Sequence, residues 1–172
     1  MNLTNYKKYL ATLDREGLEQ ELIQLYKSVP EIKAYSAAKN MKPEQIRKEL
    51  EKYKKKIEAE FWTRGGNPRS PNNRNILQYI QAFEKMSKNP KDVIDLLVHR
   101  VEIATDFASQ FGGMPDKDYD ASYNAFDKAV KLMAEHNLVE HFRARCEDLI
   151  EADNIDYWYI EYLEEAFKEY LG

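Results

Sequence analysis

The sequence predicts an all-α protein, a compact multi-helical bundle of antiparallel helical hairpins. Apolar residues recur three and four positions apart through most of the chain, which is the spacing of one helix face. No stretch alternates apolar and polar residues as a half-buried strand does. Prolines, glycine pairs and asparagines interrupt the periodic segments, which predicts about eight or nine helices joined by short loops.

Three helices are predicted in the first part of the chain. The first ends at Pro30, which also begins a short helical continuation over residues 32–38. A long helix begins at Pro43 and ends near Trp62, because the following Gly65-Gly66 pair lowers helix stability. The apolar stripes of the first and the long helix are Leu18, Leu22, Leu25, Tyr26 and Val29, and Ile46, Leu50, Tyr53, Ile57 and Phe61.

Five further helices are predicted after residue 71. The first begins near Asn72 or Asn73, and the second begins at Asn89-Pro90, a capping residue followed by proline at the first helical position. The second helix has apolar residues on so many sides that we expect it to be central, and Gly112-Gly113 ends it. The apolar stripes of the first and the last of these helices are Ile76, Leu77, Ile80 and Phe83, and Ile155, Tyr159, Tyr162, Leu163, Ala166 and Tyr170.

The length of 172 residues predicts one domain spanning residues 1–172, with a Gly/Pro/Arg-rich connector at about residues 63–73. Helical hairpins in the C-terminal half could also stack in a solenoid-like manner. No repeat of fixed period supports that alternative over a bundle, and both remain open.

A soluble, cytoplasmic protein is the expected class. The single cysteine, Cys146, excludes an internal disulfide framework and a cysteine-rich zinc site. The first residues lack the apolar run of a secretory signal, and no apolar stretch approaches the roughly 20 residues that cross a bilayer. We therefore expect no membrane association.

Charge is distributed unevenly along the chain. Residues 39–74 carry eleven basic and five acidic side chains, whereas residues 75–172 carry ten basic and twenty acidic ones. The basic segment and the acidic segment could attract different partners, or each other within the fold.

Four segments in order resemble an uncharacterised family of small bacterial proteins. They are LDREGLEQELIQLYKSVPEIKAY, EKYKKKIEAEF, HRVEIATDFASQFG and HFRARCEDLIEA. The resemblance covers nearly the whole chain, and it implies a helical bacterial protein. It implies no activity, cofactor or catalytic residue.

The connector contains the candidate site for a polyanion. Arg64, Arg69 and Arg74 are spaced five residues apart, and no acidic residue occurs between Phe61 and Phe83. Arginine on phosphate beside an aromatic ring is a common arrangement for holding single-stranded nucleic acid. The favoured interpretation is a connector that is solvated or internally paired, with Trp62 packed over the helix end.

Few residues have a spacing that suggests catalysis or metal binding. Asp95, His99 and Glu102 share one helix face and could form an acid–base or metal half-site, or an ion-pair ladder. Cys146 lies on an apolar stripe and is predicted to be a buried structural thiol. The series Asp116, Asp118 and Asp120 lacks the glycine that a calcium loop requires. We expect no cofactor, no metal and no catalytic residue.

The last helix has aromatic residues around too much of its circumference for a single buried stripe. Tyr and Trp are enriched in interfaces, so Trp158, Tyr159 and Tyr162 are the candidate interface residues. The alternative is a helix that packs in a groove between two others.

The leading functional hypothesis is a non-enzymatic helical interaction or scaffold protein with an unidentified protein partner or self-association. The first alternative is a nucleic-acid-binding module that uses the basic segment 39–74. The second is an enzyme with a site near Asp95, His99 and Glu102. The net charge of −4 disfavours nucleic acid through long-range repulsion.

Overall fold

A computed structural model describes residues 1–39 and 41–171, with the backbone alone at residues 31, 34, 37–39 and 171. The part of the chain so described contains nine helices and no β-strand, which confirms the predicted all-α class. The chain divides into two compact units, Met1–Met41 and Lys42–Gly172. The prediction of a single domain stays a prediction.

The first unit contains α1 (Leu3–Leu10), α2 (Arg15–Ser28) and α3 (Pro30–Lys39). Asn2 and Asp14 cap α1 and α2, because their side chains accept hydrogen bonds from the backbone of the first helical turn. The hydroxyls of Tyr6 and Tyr9 on α1 donate to Glu21 on α2. The helix α1 was not among the predicted elements.

Side chains of the first unit form no buried core in the described part of the chain. On the predicted stripe of α2, Leu18, Leu22 and Tyr26 are exposed, while Leu25 and Val29 are half-buried. The predicted helix is therefore present, but its stripe is not enclosed.

The second unit contains six helices, and their boundaries follow the predicted signals. Asn72 and Asn89 cap the helices that follow them, and Gly112 ends a helix in the left-handed conformation at φ 73°. The helices are α4 (Pro43–Glu60), α5 (Asn73–Met86), α6 (Pro90–Phe111), α7 (Asp116–Glu135), α8 (Val139–Ile150) and α9 (Tyr157–Leu171).

The helix α6 is the centre of this unit, as its sequence predicts. It contacts α4, α5, α7 and α8, and its apolar residues are buried along most of its length. Phe61, Phe126, Met133 and Leu163 from the surrounding helices complete the core. Leu77 was predicted to be buried and is instead 54% exposed, because it lies beside an open cavity on α5.

Among the described residues, no helix combines the length and the apolar character that crossing a bilayer requires.

Candidate functional site

Aromatic rings from α7 and α9 form a continuous surface. The ring centroids of Tyr123 and Tyr162 are 5.7 Å apart, and those of Trp158 and Tyr162 are 5.6 Å apart. Trp158 continues inward to Tyr119, at 5.0 Å. Tyr162 is 49% exposed, whereas Tyr123 and Trp158 are half-buried. The rings are thus held by each other and still accessible at their outer edges.

Carboxylates lie near Tyr123, at one end of this ring cluster. Partial burial raises the pKa of the Tyr123 hydroxyl, and the carboxylates of Asp127, Glu169 and Glu165 raise it further. None of these three carboxylates forms an ion pair with a described residue. We call Tyr123, Asp127, Trp158, Tyr162, Glu165 and Glu169 the acidic aromatic surface.

Tyr159 was predicted as an interface residue, and the structure corrects this. Its side chain is 0% exposed, and its hydroxyl is 2.7 Å from the Ser122 hydroxyl in a buried hydrogen bond. The α9 helix buries this side against α7, so Tyr159 is not available to a partner. Trp158 and Tyr162 remain from the predicted set.

The connector between α4 and α5 is an ordered hairpin-like loop. Trp62 forms an isolated antiparallel bridge with Pro68, and the Arg69 backbone N–H donates to the Phe61 carbonyl at 2.9 Å. Trp62 packs edge-on against Phe107 and Phe111 of α6, with centroids 5.9 and 5.8 Å away. Trp62 therefore covers the end of α4 instead of offering a free stacking platform.

The three arginines of the predicted polyanion site have different surroundings, and Arg74 lies in the first turn of α5 instead of in the connector. The Arg69 guanidinium donates to the Glu60 carbonyl at 3.0 Å and to the Glu60 carboxylate at 3.3 Å. Arg64 and Arg74 are exposed and form no ion pair within the described residues. Of the three guanidinium groups, that of Arg69 therefore has an internal partner, and the polyanion site stays a prediction.

Lysines of the basic helix α4 also have internal partners. Lys54 Nζ is 3.0 Å from Asp95 and 3.4 Å from Glu51. Lys56 Nζ lies 4.5 Å from the centroid of the Tyr53 ring. Some of the lysines that make this segment basic therefore contact a neighbouring helix or an aromatic ring of the same protein.

Asp95, His99 and Glu102 lie together on α6, and the two carboxylates pair with an arginine of α8. Arg145 binds Asp95 at 2.6 Å and Glu102 at 2.6 and 2.8 Å. His99 Nε2 is 3.2 Å from Glu58 of α4. Burial alone would raise the Glu102 pKa, but the hydrogen bonds from Arg145 and the nearby His99, 3.7 Å away, lower it to about 2. These residues therefore form an ion-pair network between α4, α6 and α8.

Other candidate groups have structural environments. Cys146 is buried, and burial raises the pKa of its thiol to about 12, which keeps the thiolate rare at neutral pH. No group of three or more His, Cys, Asp or Glu residues in the described ranges is arranged to hold a metal ion. Asp118 of the Asp-x-Asp-x-Asp series is fully buried and accepts hydrogen bonds from Ser70 and Asn73, both at 2.6 Å.

A buried arginine at the centre of α6 was missed by the sequence reasoning. Arg100 is only 1% exposed, and its guanidinium lies 5.2 Å from the centroid of the Phe61 ring. Its Nη2 donates to Asn73 Oδ1 at 3.1 Å, and the Asn73 amide in turn donates to Asp118. The signal was available: Arg100 falls three residues after Leu97 and four before Ala104, on the buried face.

Comparison with known proteins places the chain in a family but brings no activity. No curated protein and no solved structure matches it. The predicted resemblance to an uncharacterised family is confirmed: the model of the family of unknown function DUF6155 matches residues 1–169, so the chain belongs to that family.

Proposed function

We propose that this protein is a non-enzymatic helical interaction protein whose acidic aromatic surface binds an arginine- or lysine-rich segment of a protein partner. The observation that carries the proposal is the partly exposed ring cluster of Trp158, Tyr162 and Tyr123, beside carboxylates that have no ion pair among the described residues. The single cysteine is consistent with a reducing, cytoplasmic setting for this interaction.

The chemistry of the surface favours a cationic partner. A guanidinium or ammonium group within about 6 Å of an exposed aromatic face gains about 0.5–1 kcal/mol. Tyr162, which is 49% exposed, is the ring of this cluster that is most accessible to such a cation, and Asp127, Glu165 and Glu169 add favourable charge around Tyr123. Charge complementarity of this kind accelerates encounter and makes binding sensitive to salt.

The basic segment 39–74 supports the nucleic-acid alternative less well. A phosphate-binding surface needs unpaired cations. Arg69 and Lys54 of this segment already bind Glu60 and Asp95, which leaves Arg64 and Arg74 as its unpaired arginines of the predicted set. Under the interaction proposal the segment could instead be a ligand, because a second copy of the chain could present it to the acidic aromatic surface. Self-association and binding of another protein share the same chemistry.

Fluorescence anisotropy with a labelled hexa-arginine peptide tests the proposal. We expect salt-sensitive binding to the native protein. The variant Tyr162→Ala should bind roughly 2- to 5-fold more weakly, and the double variant Glu165→Gln, Glu169→Gln should show a similar loss. Sedimentation of the protein alone then reports whether a second copy occupies the surface.

Tyr35→Ala is the matched control for Tyr162→Ala, because Tyr35 is a tyrosine that is 56% exposed in the other unit of the chain. Glu151→Gln on the end of α8 is the matched control for the carboxylate changes. Equal losses in the controls, or unchanged affinity after both surface changes, would contradict the proposal.

A further inference from the structure

A cavity lies between α5, α6 and α7, apart from the acidic aromatic surface. Its volume is about 390 Å³, which falls in the range of about 300–1,000 Å³ that small-molecule pockets occupy. Most of its wall is apolar, and it is formed by Ile76, Leu77, Ile80, Leu97, Ala121 and Ala125. An aliphatic or aromatic body would therefore be removed from water on entering it.

Arg100 is a buried charged residue in this wall. Although Nη2 donates to Asn73, Nη1 is buried and has no hydrogen-bond partner among the described residues. Burial lowers the Arg100 pKa to about 10, so the side chain remains a cation at neutral pH. A buried donor without a partner is costly, on the order of 1–3 kcal/mol, and more for a charged group.

No carboxylate of the described residues forms an ion pair with this guanidinium. The nearest candidate, Asp118, already accepts hydrogen bonds from Ser70 and Asn73, and the Asn73 side chain links it to Arg100. Its backbone carbonyl is 3.5 Å from Arg100 Nη2. The Asn73 side chain thus bridges Arg100 and Asp118 by hydrogen bonds, and no direct ion pair joins the guanidinium to the Asp118 carboxylate.

Polar groups are also present among the residues that line the cavity. Arg74 is exposed and has no ion pair within the described residues, whereas Lys128 already pairs with Glu84. A single unpaired cation at the surface adds attraction for an anion without adding a second buried charge.

We propose that this cavity binds a small amphipathic carboxylate, with its anionic group on Arg100 and its apolar body against Ile76, Ile80 and Leu97. A carboxylate matches the planar fork of a guanidinium and would accept the hydrogen bond that Nη1 lacks. Because Nη1 is closed to solvent without a ligand, binding includes a side-chain rearrangement that uncovers it.

Isothermal titration with decanoate and with 1-decanol tests this assignment, because the two share a chain and differ in the charged group. We expect one decanoate to bind per chain and 1-decanol to bind at least about tenfold more weakly. Absence of decanoate binding, or equal affinity for the two compounds, would overturn the assignment.

Variants locate the binding. Ala121→Phe fills the cavity from α7 and leaves Arg100 in place, and we expect it to weaken decanoate by about tenfold or more. Ala144→Phe, at an exposed position of α8, is the matched control and should stay within about twofold. Arg100→Met should abolish the preference for decanoate over 1-decanol. If Arg100→Met does not fold, as circular dichroism would report, the Ala121→Phe and Ala144→Phe pair carries the test.

A membrane surface is the other source of an amphipathic anion. Co-sedimentation with phosphatidylglycerol vesicles separates the two sources. We expect Ala121→Phe to leave any vesicle binding unchanged while it removes decanoate binding. Vesicle binding without decanoate binding to the native protein would assign the anion to a lipid surface and overturn the cavity proposal.

Discussion

Two charged regions of the second unit differ in how many of their charges are already used. In the basic region of α4 and the connector, Arg69 binds Glu60 and Lys54 binds Asp95. In the acidic region of α7 and α9, Asp127, Glu165 and Glu169 have no ion pair among the described residues. Internal pairing thus involves part of the basic region, in which Arg64 and Arg74 stay without an ion pair, and none of these three carboxylates.

This difference shows why a run of charge in a sequence does not by itself indicate a binding surface. The glycines, prolines and arginines of the connector look functional because they are unusual, yet Arg69 and Trp62 hold the loop to α4 and α6. The acidic aromatic surface is dispersed over two helices, and only the fold brings Tyr123 to Tyr162. Whether a charged side chain can bind a partner depends on its ion pairs within the protein, and the fold determines those pairs.

The largest expected effect is on the basic region. Glu60→Ala should lower the free energy of unfolding by about 2–3 kcal/mol, because the buried Glu60 accepts hydrogen bonds from Arg69, Asn75 and Tyr79. Urea unfolding measures the change. Glu51→Ala is the control, since Glu51 is exposed and pairs only with Lys54, at 3.4 Å. If the free energy of unfolding fell equally in the two variants, the contacts of Glu60 would not hold the connector.

A second effect depends on pH. Glu102→Gln should lower the free energy of unfolding by about 1–2 kcal/mol at neutral pH, because Arg145 and His99 stabilise the carboxylate. The Glu102 pKa of about 2 in the folded protein lies below its ordinary value of 4.5, so this stabilisation is complete above about pH 4.5 and is lost as pH falls towards 2.

Urea unfolding at a series of pH values tests this second prediction. The difference between the native protein and Glu102→Gln should be constant near neutral pH and narrow below about pH 4.5. A difference that is independent of pH down to 2 would contradict the assignment to the ionised carboxylate.

A smaller effect separates the two tyrosines of α9. Tyr159→Phe should lower the free energy of unfolding by about 1 kcal/mol, because it removes the buried hydroxyl that forms a hydrogen bond with the Ser122 hydroxyl. Tyr162→Phe should change it by less than about 0.5 kcal/mol, because Tyr162 is exposed. Thermal unfolding of both variants checks the contrast, and a larger loss at Tyr162 would reverse the assignment of buried and exposed rings.

The smallest expected effect is at the exposed end of the connector. Arg64→Ala should change the free energy of unfolding by less than about 0.5 kcal/mol, since Arg64 is exposed and has no ion pair within the described residues. Chemical denaturation reports this value. A loss above about 1 kcal/mol would mean that Arg64 holds the loop as Arg69 does.

Most helix boundaries could be predicted because local chemistry sets them. Asn89-Pro90 and Gly112 act within one turn of the chain, and the structure begins and ends α6 at those residues. The helix α1 was missed because its eight residues are too few for a clear periodic stripe. Leu77 was misassigned because periodicity identifies a face, while the cavity beside that face depends on the spacing of three helices.

Site residues were harder to predict because they depend on contacts distant in sequence. Asp95 and Glu102 are neighbours on α6, but their partner Arg145 comes from α8. Tyr159 and Tyr162 lie one turn apart on α9, and only the packing of α7 separates the buried ring from the exposed one. Arg100 could have been found from its place on an apolar face, but its unpaired Nη1 could not.

Parallel anisotropy titrations with labelled hexa-arginine and with a labelled duplex oligonucleotide, at about 50 and 200 mM salt, test the central comparison most directly. The account predicts that the native protein binds the peptide at low salt, that binding weakens at high salt, and that the oligonucleotide does not bind. Two results together would contradict it: no binding of the peptide, and binding of the oligonucleotide with a slope of log affinity against log salt concentration of about −2.7. That slope corresponds to three phosphate contacts.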